Sequence, residues 1–158
     1  MKLARRPEPR RARLHHVPQM AAILWAFARS TPWLPRVRPR HTDLRLMAQF
    51  TRRGWVRIVP GRRGPAAFIT REGERILALY VHPRARRRGL GSALLQDAKS
   101  QSPRLELWVV EANHPARAFY TAHGFVEVAR ARGGGNDENL PDILMVWPPE
   151  SSQRSAEV

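Results

Sequence analysis

The chain has 158 residues, 42% of them hydrophobic, enough for one domain with a substantial core and too many for a compositionally disordered polypeptide. It has no cysteine, which excludes disulfides, thiolate metal sites and a cysteine nucleophile. The formal net charge of +15 raises a polyanion as a partner, yet the basic residues are almost all arginine and are spread along the chain instead of forming one stripe.

Residues 1–11 read as a flexible basic tail, residues 12–149 as a single domain and residues 150–158 as a flexible end. The basic start followed by the apolar run at 20–28 has the outline of an export leader. That run is too short to span a bilayer, and cleavage behind it would delete the first strand and helix, so a cytoplasmic protein without a membrane segment is expected.

Residues 12–17 (ARLHHV) can form a first strand, after which Pro18 opens a helix with Met20, Ile23, Leu24 and Phe27 at helical spacing. Prolines at 32, 35 and 39 make residues 30–40 an extended linker, in which Trp33 either walls a pocket or plugs the core. A second helix starts at His41-Thr42-Asp43, capped by Thr42 or Asp43, with Leu44, Met47 and Phe50 facing inward.

Residues 55–59 and 66–70 alternate like antiparallel strands, and residues 75–81 are nearly all apolar, as a central strand requires. Next comes the turn Arg86-Arg87-Arg88-Gly89-Leu90-Gly91-Ser92, which opens a helix reaching residue 100. Its glycines let backbone approach a ligand, the helix start leaves N–H groups unpaired under a positive dipole, and the arginines suit phosphate. A strand at 104–110, a short helix from His114-Pro115 and the closing His123-Gly124-Phe125 complete a βαβα unit. Strands at 125–130 and 143–147 end the domain around a glycine-rich turn. Asp137, Glu138 and Asp142, clustered in so basic a chain, either dock a cationic amine or belong to an ordinary solvated loop. The six histidines show no metal-ligand spacing, and no metal is expected.

The order Arg86-x-x-Gly89-x-Gly91, a strand, Asn113, Ala116, Phe119-Tyr120 and Gly124-Phe125 resembles the signature of the GNAT superfamily of N-acetyltransferases. The resemblance implies an α/β fold: a mixed central sheet with a splayed parallel strand pair, flanked by helices. It implies acetyl-CoA as co-substrate, its pyrophosphate at Arg86, Arg87, Arg88, Gly89, Leu90, Gly91 and Ser92. Leu79, Tyr80 and Val81 would pair with the pantetheine arm, with Asn113 and Phe119 also on the cofactor side. Asn113 reads equally well as a helix cap.

By the same resemblance Tyr120 is the acid for the departing thiolate, with a core tyrosine as the alternative. Relatives carry a basic glutamate on the strand before the loop; here Arg75 falls at that position and Glu74 one residue earlier, on the opposite face unless a bulge restores it. Glu74 is thus a candidate base, and His41 and His82 are others. The linker and second helix border the acceptor site in the family, which singles out Trp33 and His41 as substrate residues beside Asp137 and Glu138. The expected reaction is direct acetyl transfer to a primary amine. A small-molecule acceptor is favoured over a protein N-terminus or lysine, and a homodimer is left open. The competing class is a non-catalytic basic module that binds nucleic acid.

Overall fold

The computed structural model describes residues 7–35, 38–133 and 139–149. Seven strands form one sheet in the order β1-β2-β3-β4-β5-β7-β6. They are β1 (Arg10–Arg11), β2 (Val56–Gly61), β3 (Gly64–Glu72), β4 (Arg75–Val81), β5 (Leu105–Val110), β6 (Val126–Ala131) and β7 (Asp142–Trp147). Every neighbouring pair is antiparallel except β4 and β5. Among the described residues four α-helices accompany the sheet: α1 (Val17–Arg29), α2 (Arg40–Arg52), α3 (Leu90–Gln101) and α4 (His114–Ala122).

Alternation along the strands divides the core in two. Val56, Ile58 and Phe68 turn to one face, where they pack with Met20 and Ile23 of α1 and with Leu44 and Met47 of α2. Val59, Ala67 and Ile69 turn to the other, joining Leu94 and Leu95 of α3, Tyr120 of α4 and Phe125. The sheet is covered on both faces over its middle strands, as the apolar run of β4 anticipates.

The start of the chain departs from expectation. Arg10 and Arg11, assigned to the tail, pair with Ile58 and Arg57 of β2. Residues 12–17 do not form a strand: Arg13 donates its backbone N–H to His16 Nδ1 at 2.9 Å, and Leu14–His16 curl into a 3₁₀ turn leading into α1. A local side-chain acceptor has taken the donor that a ladder would use. Helix α2 begins at Arg40 behind Pro39, earlier than expected, so Thr42 and Asp43 fall inside its first turn and the N-cap position is a proline, which has no side-chain acceptor.

The feature that shapes the site is a bulge in β4. Thr70 pairs with Ala78 and Arg71 with Ile76, so Leu77 is an extra residue on β4. The parallel pairing with β5 runs through Arg75–Glu106 and Ile76–Leu107 and stops there. A bulge bends and overtwists its strand, and this one sits where β4 leaves β5.

Candidate active site

The edges of that split can be derived from hydrogen-bond parity. His82 donates its backbone N–H to Ala66 O at 2.8 Å, so the bonded pairs between β3 and β4 fall at His82, Tyr80 and Ala78. The backbone groups of Leu79 and Val81 therefore point the other way, toward β5. On β5, Glu111 donates to Pro141 O at 2.9 Å, which by the same alternation turns the backbone of Glu106, Trp108 and Val110 toward β4. Glu106 donates its backbone N–H to Glu74 O at 2.8 Å, and beyond Leu107 the strands have parted. The backbone groups of Leu79 and Val81 thus face the Trp108–Val110 end of β5 across a cleft, where Val110 O already accepts from Asn113 N at 2.9 Å.

Two cavities open along this cleft, of about 530 Å³ and 430 Å³, and they share Phe27, Trp33, Leu79, Tyr80, Asn113, Ala116 and Tyr120 in their walls. The larger reaches Val81, Arg86, Gly91, Pro115 and Phe119. The other runs beneath α1 and α2, past Trp25, Arg29, Arg40 and Asp43, to Trp108, Val110 and Asp142. Tyr120 lies where they meet.

At the end of the larger cavity, Gly89 adopts φ +74° as the residue preceding α3, with no side-chain cap on the helix. Its left-handed conformation is one that glycine takes without penalty. A Cβ placed on Gly91 would stand 3.3 Å from Phe119 Cζ and 3.7 Å from Val81 Cγ2, so the bare backbone there keeps the passage beside Phe119 open. The first N–H groups of α3, left without a capping side chain, and the Arg86 to Arg88 run make this end attractive to an anion.

Tyr120 is 7% exposed, its ring edge-on to those of Phe119 and Phe125. Burial, and secondarily the neighbouring Tyr80, push its phenol well above the ordinary tyrosine range, so it is a proton donor throughout physiological pH. Asn113 Oδ1 accepts from Ala116 N at 3.3 Å, capping α4, while the residue also lines both cavities; the two readings of Asn113 are compatible.

The structure gathers Leu79, Tyr80, Val81, Arg86, Gly91, Asn113, Phe119 and Tyr120 around one cavity. Arg87, Arg88 and Gly89 lie exposed on the adjoining turn, whereas the Leu90 side chain is core and Ser92 Oγ is 3.0 Å from His123 Nε2. Trp33 lines both cavities.

Three candidates fall away. Glu74 precedes β4 at the end remote from the glycine turn and pairs with Arg104 at 3.3 Å. The bulge comes after Glu74 and carries the strand away from it, so Glu74 does not line the cleft. His41 is exposed on α2, where the neighbouring Arg40 and Asp43 reach the cavity instead. His82 uses Nδ1 to accept from Arg84 N, capping the turn, and lines neither cavity. Asp137 and Glu138 lie outside the described residues.

Sequence reasoning missed the wall formed by Trp25, Arg40 and Asp43. Trp25 Nε1 donates to Asp43 Oδ2 at 3.0 Å and Arg38 Nε stands 3.5 Å from Asp43 Oδ1, contacts between two helices that no local pattern encodes. Trp108 left a fainter mark, as a bulky aromatic at an exposed position of β5 between buried Leu107 and Val109. Among the described residues no three His, Asp or Glu side chains gather as metal ligands, and no helix is long and apolar enough to cross a membrane.

Known proteins share both the motif and the fold. Residues 51–127 match the family model for the acetyltransferase (GNAT) domain. Over 77 residues the chain is 42% identical to the peptidyl-lysine N-acetyltransferase YiaC of Escherichia coli, covering 49% of this chain and 51% of that protein. It is 30% identical over 94 residues to the peptidyl-lysine N-acetyltransferase YjaB of Salmonella typhimurium, covering 60% and 64%. The chain thus spans between half and two thirds of the length of these curated relatives. The solution structure of apo-form YjaB from Escherichia coli superposes with a TM-score of 0.75 at 24% identity, over 90% of this chain and 98% of that one. Chaetomium thermophilum Naa20 in complex with a bisubstrate analogue gives 0.68 at 18% identity, over 92% and 88%. The split parallel pair, the glycine turn and the motif thus lie together on one sheet, and residues 51–127, just under half of the chain, are similar to the acetyltransferase (GNAT) domain.

Proposed function

We propose that the chain transfers an acetyl group from acetyl-CoA to the side-chain amine of a lysine in a peptide or protein. The observation that carries this reading is the continuous cleft from the uncapped start of α3, between the unpaired edges of β4 and β5, to Tyr120. The residues fit the co-substrate: N–H groups and Arg86 for its diphosphate, the backbone of Leu79 and Val81 for its amide arm, and Gly91 beside Phe119 for its passage. A backbone N–H on the opened edge of β4 can stabilise negative charge on the thioester oxygen; parity assigns this to Leu79 or Val81, since Tyr80 spends its backbone on β3.

The neutral acceptor nitrogen attacks the thioester carbon, the carbon–sulfur bond breaks, Tyr120 gives its proton to the departing thiolate, and the proton shed by the new amide nitrogen passes through water and restores the phenol. Attack is taken as direct, because the chain has no cysteine and the Ser92–His123 pair lines neither cavity. Lysine is preferred to the small-molecule amine expected at first because two relatives carry the name peptidyl-lysine N-acetyltransferase. The second cavity, open beneath α1 and α2, suits a side chain entering from a larger body.

The test is thiol release from acetyl-CoA with blocked lysine peptides, compared with a panel of small amines and free amino acids. Lysine peptides should be the better acceptors, and acetyl-CoA should raise the melting temperature. Thiol release confined to small amines would return the acceptor to that class; absence of acetyl-CoA binding would remove the enzymatic reading.

A further inference from the structure

The second cavity has opposite charges on opposite walls. On the sheet side, the register pairs Asp142 with Val110 and Leu144 with Trp108, and alternation turns all four away from the face that buries Val109 and Ile143. Asp142 is therefore on the cavity face, 9% exposed, and no hydrogen bond or ion pair of its carboxylate is found among the described residues. The carboxylate is not sealed from solvent but opens to the cavity, and it shares its face of the sheet with the Trp108 indole, which is 40% exposed. A carboxylate next to an aromatic ring is a site for an ammonium group.

The helical wall has the reverse polarity. Arg38 is matched by Asp43, but Arg29 and Arg40 have no carboxylate partner among the described residues. Arg40 is held over the Trp25 ring at 4.7 Å, a placement that leaves guanidinium N–H groups for an anion. A plain alkylamine satisfies the floor and leaves the rim unmatched.

We propose that this cavity selects a lysine set among acidic residues: its ammonium is drawn to Asp142 and Trp108, and the neighbouring carboxylates meet Arg29 and Arg40. This rests on the lysine reading above and specifies the peptide it takes. Asp142 acts in recognition; the proton must leave the amine before attack.

The experiment measures binding, so that it does not depend on turnover. Blocked pentapeptides with a central lysine flanked by glutamate, alanine or arginine are titrated against the CoA-saturated protein, with tryptophan fluorescence and calorimetry as readouts. Wild type should bind the glutamate-flanked peptide at least about tenfold more tightly than the arginine-flanked one, with alanine between, and salt should narrow the range. Arg29→Ala with Arg40→Ala should compress that order, whereas Asp142→Asn should weaken all three by about tenfold and leave CoA affinity unchanged. Replacing the central lysine by norleucine should weaken wild-type binding and leave Asp142→Asn nearly indifferent. Trp108→Leu, at an exposed position, guards against a misfolded Asp142 variant and should also weaken the lysine peptides. Equal binding of the three peptides, or an Asp142→Asn protein that binds them as wild type does, overturns the proposal. Thiol release without charge preference sinks this inference alone; charge preference without thiol release sinks only the enzymatic reading.

Discussion

Trp25 on α1 and Asp43 on α2 are joined by a 3.0 Å hydrogen bond from the indole Nε1 to the carboxylate, and both line the second cavity. The bond holds together the two helices that roof the cavity. Asp43 is 9% exposed, so removal of its indole partner leaves a nearly buried carboxylate with Arg38 alone, at 3.5 Å. Trp25→Phe should lower stability by about 1.5–3 kcal/mol, the usual range for a hydrogen bond to a charged group. Urea denaturation measures this. Because the roof loosens while the glycine turn is untouched, acceptor KM should rise and acetyl-CoA affinity should stay within twofold or so.

Gly91→Ala separates stability from binding. Alanine is the better helix former by about 1 kcal/mol, but here its Cβ would stand 3.3 Å from Phe119 Cζ. The ring must shift by a few tenths of an ångström, offsetting part of the gain, and it shifts within the cavity wall. The melting temperature should change little while acetyl-CoA affinity falls by about tenfold, equivalent to about 1.4 kcal/mol, as read by calorimetry. Unchanged affinity would place the diphosphate elsewhere than the α3 turn.

Tyr120→Phe retains the ring that packs on Phe119 and Phe125 and removes only the phenol. Turnover should fall by about 10²–10⁴-fold, with acetyl-CoA affinity preserved. Burial raises the phenol above its ordinary pKa near 10, so the wild-type rate should still climb with pH as the acceptor amine loses its proton. No decline assignable to this tyrosine should set in by pH 10. A basic limb below that value, absent from the phenylalanine variant, would contradict the buried environment.

The βαβα unit was legible in the sequence because its signals are local. Glycine at 89 and 91, the unbroken apolar run of β4 and the proline behind Asn113 each fix their own neighbourhood. The bulge at Leu77 has no such signature, since an extra residue in a strand leaves composition unchanged, and without it the position of Glu74 could not be judged. The second cavity is harder still. Trp25 meets Asp43 across a linker, and Trp108 stands beside the β7 edge only because β5 and β7 pair in one register. The lost first strand differs again: ARLHHV has strand-like alternation, and one imidazole accepting a backbone N–H outweighs it.

Histidines give the folded state a pH dependence of predictable sign. His123, with Nε2 3.0 Å from Ser92 Oγ, is held below its ordinary pKa by burial and by the Lys99 charge. His16 is lowered by burial, by His15 and by Arg13, and its Nδ1 must stay unprotonated to accept from Arg13 N. In both cases the unfolded chain takes up a proton near pH 6.5 that the folded chain refuses until lower pH. Their contribution is therefore complete above about pH 7.5 and is lost as pH falls through 6.5 toward the folded values. Urea midpoints should drop by a few tenths of a molar, roughly, between pH 7.5 and 5.5. His123→Gln and His16→Asn should each lower the midpoint at pH 7.5 more than at pH 5.5 and so flatten the slope, with their effects adding because the two sites share no partner. A double variant that keeps the full wild-type slope would assign the pH dependence to other groups.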